Sequence, residues 1–310
     1  VSEQPPAPAP AARPAPPATA ARKARSTPPP ATALATPAAT ALATPAATAL
    51  ATPAATAVPG PTPPLTLAID IGGTGLKASV LDAAGAMVAD RVAVKTTYPV
   101  TPEQMVAQLA AMVAPLPPAD RVSAGFPGMV RSGHVLSAPH FVGVGGPGTA
   151  LDQHLLKRWT GFDLAGELAA RLGRPTRVAN DADVQGAAVV AGHGLELVVT
   201  LGTGVGTAFF FDGRLLPHLE FAHHPFLKGA SYNDELGEAA RKEVGNARWN
   251  KRVRKAIATL RALSFFDHCY IGGGNAKRLH GDLGGDVTTV DNAAGILGGI
   301  RLWDESHLAV

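Results

Sequence analysis

The sequence predicts an α/β protein behind a low-complexity N-terminal tail, and three observations carry that expectation. From Leu65 onward, apolar runs of strand length alternate with stretches of helical periodicity. Two of those runs repeat one device, a glycine-rich turn between two strand-like segments: LAIDIGGTGLKASVLD at 67–82 and VVTLGTGVGTAFFF at 198–211. Residues 1–64, in contrast, are Pro, Ala and Thr with few large apolar side chains. There the unit ATPAATAL recurs at Ala35–Leu42 and Ala43–Leu50, then as ATPAATAV at Ala51–Val58. Such units carry almost nothing to bury, and a proline in each breaks any helix the alanines favour, so 1–64 is expected to be a disordered tail. Its Arg13, Arg22, Lys23 and Arg25 read as solvated linker charge. The chain opens on Val1 and has no Met before Met87, which raises a start nearer Val58 as a second account of the tail.

Beyond the tail the elements follow in order. LTLAID is a strand, LKASVLD alternates as a second, and Gly85 turns into MVADRVAV as a third. Residues 102–114 read as a helix, RVSAGFPG as a strand running into a loop, and 152–172 as helical segments. TRVAND is a strand ending at Asn180–Asp181, and DVQGAAVVAG follows as a helix. Residues 233–263 are mostly helical with a break at Gly245–Asn246. HCYIGGG is a strand entering a glycine loop, and a last helix starts at Asp291 and runs to about Leu302.

Bulk composition excludes several classes. A net charge of +3 over 310 residues does not by itself point to nucleic acid. The single cysteine, Cys269, rules out an intrachain disulfide and a Cys-rich zinc site, and fits a cytoplasmic protein. No apolar run approaches the ~20 residues that span a bilayer, and no charged-then-apolar secretory signal opens the chain.

The first glycine turn is a candidate phosphate site. It is not a P-loop, because Lys77 follows Gly75 by two residues and is itself followed by Ala. Nor is it a dinucleotide turn, because a strand and not a helix follows it. What remains is a strand–turn–strand hairpin whose backbone N–H groups can face an anion, since glycine permits close approach. Gly72, Gly73, Thr74 and Lys77 form the first such turn, and Gly202, Thr203 and Gly204 the second. Facing each other across a cleft, the two would clamp a phosphate chain. Asp70, at the end of the first strand, would hold Mg²⁺ directly or through water. Gly272, Gly273 and Gly274 form a third loop, placed for an adenosine or a further phosphate.

The order DIGGTGLK, GFPG, NDAD, LGTGVG, IGGGN resembles the ROK sugar kinases, within the hexokinase–actin–Hsp70 (ribonuclease H-like) fold, over residues 65–303. HLEFAHHPF and YNDELGEAARKEVGNARWNKRVRK resemble the polyphosphate glucokinase and glucomannokinase branch. The resemblance implies two lobes, 65–181 and 182–290, with 291–310 packing back on the first. It implies that Asp181 is the catalytic base and that Asn180 binds the sugar, although the bland reading of Asn180–Asp181 is a helix N-cap. It also implies that Glu220 and His223 bind sugar hydroxyls and that Gly125, Pro127 and Gly128 form a loop at the sugar pocket. His224 is left undecided. The zinc-binding cysteine cluster of most family members is missing from HPFLKGASYNDELG, which excludes zinc there and leaves one sugar contact without a counterpart.

Residues 247–261 form an amphipathic helix. Arg248, Lys251, Arg252, Arg254 and Lys255 crowd its polar arc with no acid among them, a pattern suited to a long polyanion. No nucleic-acid recognition motif accompanies the arc. The expected activity is transfer of a phosphoryl group from polyphosphate, and ATP, to the 6-hydroxyl of glucose and also mannose, with Mg²⁺, by a cytoplasmic homodimer that engages neither nucleic acid nor membrane. The rivals are a strictly ATP-dependent hexose kinase and a non-catalytic sugar-sensing regulator, the latter disfavoured because 1–64 cannot form a helix-turn-helix.

Overall fold

A computed structural model describes residues 61–290 and 297–304. The expected tail lies outside the described residues except for its last four positions, where the Thr62 carbonyl accepts from the Ala83 N–H at 2.8 Å. The start of the helix expected from Asp291 also lies outside them.

The first half of the fold runs β1 (Thr66–Ile71), β2 (Gly75–Leu81), β3 (Val92–Lys95), α1 (Pro102–Val113) and β4 (Arg121–Phe126), then a small ribbon of β5 (Val130–Arg131) and β6 (His134–Val135). It continues with α2 (Gln153–Trp159), α3 (Leu164–Leu172), β7 (Thr176–Asn180) and α4 (Asp181–Ala187). The second half runs β8 (Leu195–Leu201), β9 (Val205–Phe211), β10 (Arg214–Leu215), the ribbon β11 (Pro225–Leu227) and β12 (Ala230–Ser231), α5 (Tyr232–Leu236), α6 (Glu238–Ser264), β13 (His268–Gly272) and β14 (Val287–Thr289).

Two five-stranded mixed sheets result, ordered β3-β2-β1-β4-β7 and β10-β9-β8-β13-β14. Their strand senses are the same: two antiparallel pairings, then two parallel ones. The glycine hairpins β1–β2 and β8–β9 hold the same place in each sheet. The two-lobed α/β expectation is met by this internal duplication. The central strands β1, β2 and β4 of one sheet and β8, β9 and β13 of the other are buried along most of their length, as their near-continuous apolar runs require, while the edge strands β3, β10 and β14 are not. The first core gathers Ile69, Ile71 and Leu76 with Phe126, Phe141 and Trp159; the second gathers Leu197, Val199 and Leu201 with Trp249, Ile257 and Leu260.

Helix α4 leaves the first sheet and packs on the second. It touches β4 and β7 on one side and β8 and β9 on the other. A Cβ at Gly186 would lie 2.6 Å from the Phe210 ring, so glycine there is what lets the helix seat. Residues Leu297–Trp303 form a 3₁₀ helix against α4, β1 and β4. Ser123 Oγ donates to the Gly299 carbonyl at 2.6 Å, and Trp303 lies under the guanidinium groups of Arg177 (4.5 Å) and Arg121 (5.3 Å).

One strand is shorter than the sequence predicts. MVADRVAV yields only Val92–Lys95 and an isolated bridge of Met87 to Leu81; between them Ser79 Oγ donates to the Ala89 carbonyl at 2.8 Å, in place of a backbone ladder bond. Helix α6 breaks at Gly245 (φ 76°, ψ 158°), the break expected from Gly245–Asn246. Among the described residues no helix is long and apolar enough to cross a membrane.

Candidate active site

The first glycine turn is fixed by its neighbours. Gly72 N–H donates to the Gly75 carbonyl at 3.1 Å, and Thr96 Oγ1 donates to the Gly72 carbonyl at 2.7 Å. A Cβ at Gly72 would stand 2.7 Å from the Gly75 oxygen, and one at Gly73 2.8 Å from the His140 ring, so the turn itself demands both glycines. Asp70 and Lys77 are paired across the hairpin, with Lys77 Nζ 3.3 Å from Asp70 Oδ2.

The second turn joins the third loop. Gly273 (φ 87°) lies so close to the Leu201 backbone that a Cβ would come within 2.4 Å of its carbonyl oxygen. Asn275 locks the contact: its N–H donates to the Leu201 carbonyl at 2.9 Å and its Nδ2 to the Gly202 carbonyl at 3.0 Å. Gly204 is held by Asn233, whose Oδ1 would be 2.2 Å from a Cβ there. Gly202 and Gly274 differ from these. A Cβ on either would meet nothing within 4 Å, and neither has a positive φ, so the fold does not require glycine at either position. Both line a cleft of about 430 Å³ together with Thr203, Glu238, Arg241, Asn275, Lys277 and Arg278.

Sequence reasoning did not single out the cations of this cleft. Arg241 is engaged by Glu238 through two hydrogen bonds of 3.0 and 2.9 Å. That fork, with Lys242 beside it, holds the Glu238 carboxyl down at about 2. Lys277 and Arg278 follow the third glycine loop directly, a proximity in sequence that was the available signal.

On the other side of α4, Asn180 is buried and does cap the helix: its Oδ1 accepts from the Ala182 N–H at 2.8 Å. Its Nδ2 donates to the Gly128 carbonyl at 3.0 Å, which ties the Gly125–Gly128 loop to the helix start. Gly128 is packed so tightly that a Cβ would lie 2.2 Å from the Ser137 carbonyl oxygen, and Gly125 leaves just enough room for the Asp181 backbone at 3.5 Å. The Pro127 carbonyl faces His140 Nδ1 at 3.3 Å.

Asp181 stands at the first turn of α4, between the two sheets. Its Oδ1 accepts from the Ala182 N–H at 2.9 Å. Burial pushes its carboxyl up to about 7, aided by the negative charges of Asp70, Asp183 and Glu220. Three elements thus bring carboxylates together: Asp70 from β1, Asp181 from α4, and Glu220 from the loop after β10. Ala182 also touches the second hairpin, since a Cβ at Gly206 would sit 2.9 Å from the Ala182 Cβ.

Glu220 opens a 3₁₀ turn over Phe221–His223. Burial raises its carboxyl, but His218 and His223 outweigh that and hold it below the usual range. His223 is exposed, whereas His224 stacks between Tyr232 (5.1 Å) and Phe221 (6.4 Å) as a packing residue. A pair that sequence reasoning missed lies behind Glu220. His218 Nδ1 is 2.9 Å from Asp183 Oδ1, and both side chains are buried. No spacing rule flags a contact between residues 35 apart.

The basic arc of α6 is partly committed. Arg252 pairs with Glu235 at 2.6 Å, Arg254 donates to the His280 carbonyl at 2.9 Å, and Lys255 lies over the Phe226 ring. Arg248 and Lys251 are exposed and make no ion pair among the described residues.

The family model described as "ROK family" matches residues 66–218, which contain the first hairpin, the Gly125–Gly128 loop, Asn180–Asp181 and the second hairpin. A solved inorganic polyphosphate/ATP-glucomannokinase from Arthrobacter sp. strain KM is 31% identical. It superimposes with a TM-score of 0.64 over 77% of this chain and 97% of its own. The chain belongs to the ROK family. Its polyphosphate glucokinase relative from Mycobacterium tuberculosis (strain CDC 1551 / Oshkosh) is 28% identical over 221 residues, 68% of this chain and 77% of the relative. A ROK glucokinase from Streptomyces griseus, solved with glucose and AMPPNP, shares the fold at 20% identity, with a TM-score of 0.54 over 77% of this chain and 98% of its own.

Proposed function

We propose that this chain is a hexose kinase that transfers the terminal phosphoryl group of inorganic polyphosphate, and of ATP, to the 6-hydroxyl of glucose, with mannose as a second acceptor. The observation that carries the reading is the placing of Asp181. A carboxyl whose proton affinity is raised to about 7 sits at the helix start that touches both sheets, between the Asn180–Gly128 loop and the second glycine hairpin. Such a group suits a general base, which must accept the hydroxyl proton as the oxygen attacks phosphorus. Asn180, Glu220 and His223 supply donors and acceptors of the kind that sugar hydroxyls take. The donor chain would run along Gly202, Thr203 and Gly274 toward the turn at Gly72–Thr74.

Among the described residues, no group of three His, Cys, Asp or Glu side chains is arranged to hold a metal ion by itself. Mg²⁺ binds through one or two carboxylates plus substrate phosphates and keeps several waters. Asp70 would hold it. The ion neutralises charge on the donor phosphates when bound; the acceptor chemistry belongs to Asp181.

A strictly ATP-dependent kinase is the second reading. In its favour, three of the five cations of the α6 arc are already engaged within the protein. One assay separates the two: purified protein with Mg²⁺ and glucose or mannose, given polyphosphate or ATP in parallel, followed by sugar 6-phosphate formation. Product from polyphosphate supports the proposal, product from ATP alone supports the second reading, and no product from either donor defeats both.

A further inference from the structure

His218 is buried, at 8% exposure, in the stretch that leads from β10 to Glu220. One ring nitrogen, Nδ1, is 2.9 Å from Asp183 Oδ1; the other, Nε2, is 3.7 Å from Glu220 Oε2 and has no hydrogen-bond partner. Asp183 lies two residues beyond Asp181 on the same short helix. The imidazole therefore stands between the helix that carries the proposed base and the carboxylate that faces the acceptor. A buried carboxylate such as Asp183 is costly unless paired, so the ring is held in place from that side. Its Nε2 is then aimed at Glu220 with no other use.

We propose that His218 is a positioning residue for the sugar acceptor, bridging Asp183 and Glu220 so that Glu220 stays anionic and fixed relative to Asp181. The proposal rests on the hexose kinase reading. Two groups on α4 face this cluster, Asp181 and Asp183. The loop contributes Glu220 and His223, and β1 contributes Asp70 through its field on Asp181. Burial alone disfavours a charged ring, but the two flanking carboxylates outweigh it and push His218 up to about 9. At neutral pH both ring nitrogens then carry protons, and Nε2–H can donate to Glu220. A sugar hydroxyl that orders the Glu220 carboxylate would shorten the 3.7 Å contact, and sugar binding and His218 protonation would then favour each other reciprocally.

The test compares wild type with His218→Gln, measuring glucose affinity by calorimetry and kcat and KM for glucose and for donor, from about pH 6 to about pH 10. His218→Gln keeps a donor toward Asp183 but cannot hold the charge. It is expected to weaken glucose binding about tenfold and to raise the glucose KM more than it lowers kcat, with donor KM unchanged. Wild-type glucose affinity should decline as pH rises through about 9, and the variant should lack that decline. An unaltered glucose KM with the alkaline decline intact overturns the proposal, even where thermal stability drops. A second readout needs no variant: in the NMR titration of the wild-type histidine rings, glucose should raise the His218 midpoint, and an unmoved midpoint overturns the proposal. Wild type that makes sugar phosphate while His218→Gln behaves identically defeats this inference alone; wild type that neither binds nor phosphorylates glucose defeats the kinase reading and this inference together.

Discussion

At the residue scale the proposed kinase turns on one carboxyl. As the proposed base, Asp181 would have to be ionised to accept a proton, yet its burial and the nearby charges of Asp70, Asp183 and Glu220 resist ionisation. Because the folded midpoint is raised, to about 7, the active carboxylate form grows as pH rises through that value. The kcat/KM for glucose should therefore climb on the acid side of neutrality. Asp181→Asn should lose about 10²- to 10⁴-fold in kcat above pH about 7 with glucose still bound, and less below it, where wild type is itself protonated; steady-state rates against pH check both. Full turnover by the variant would remove Asp181 from the base role. Asp70 was legible as the end of the strand that enters the first glycine turn, whereas Asp181 and Glu220 were singled out through the resemblance, within NDAD and at the head of E-x-x-H. Asn180 was legible as the cap of α4, whereas its hold on the Gly128 loop was not, because that contact joins residues 52 apart. The Asp183–His218 pair was not legible, because only the packed fold brings those positions together.

At the element scale, glycines separate demands of the fold from those of a ligand. Gly298 is the extreme fold glycine: a Cβ there would stand 1.7 Å from the Val184 carbonyl of α4. Gly298→Ala should destabilise the protein by about 1–3 kcal/mol, read by denaturant melts. Gly202→Ala should leave the melting profile within about 0.5 kcal/mol of wild type, because open space lies above it. If donor phosphates approach that backbone, the same change should raise the donor KM several-fold with little effect on glucose KM. An unchanged donor KM would mean that the second turn does not cradle the donor. Periodicity made the long elements legible, including both hairpins and the break of α6 at Gly245. The ribbons β5–β6 and β11–β12 and the edge strands β10 and β14 escaped it, since two or three residues cannot display a period.

At the scale of the whole molecule, the duplicated sheets put two glycine hairpins at equivalent places, with α4 as the piece shared between them. Charge linkage acts on that assembly. The folded midpoint of His218, about 9, lies above its ordinary 6.5, so its stabilising contribution is complete below about 6.5 and is lost as pH rises through about 9. Wild-type Tm should fall across that window more steeply than that of His218→Gln, as calorimetry would show. On the proposed function, donor choice would also depend on the wider surface: a long polyanion would extend past the cleft, which already includes Glu238 and Arg241 of α6, to the cations further along that helix. With Arg252, Arg254 and Lys255 already engaged, Arg248 and Lys251 are the cations left to follow such a chain. Two phosphate contacts of this kind imply that polyphosphate affinity falls about sevenfold between about 50 and about 200 mM salt, from a logarithmic slope near −1.4. ATP, held in the cleft without the arc, should lose far less over the same range. Arg248→Ala with Lys251→Ala should flatten the polyphosphate slope and leave ATP kinetics unchanged. Parallel slopes for the two donors would confine donor binding to the cleft and leave the arc of α6 with no part in it.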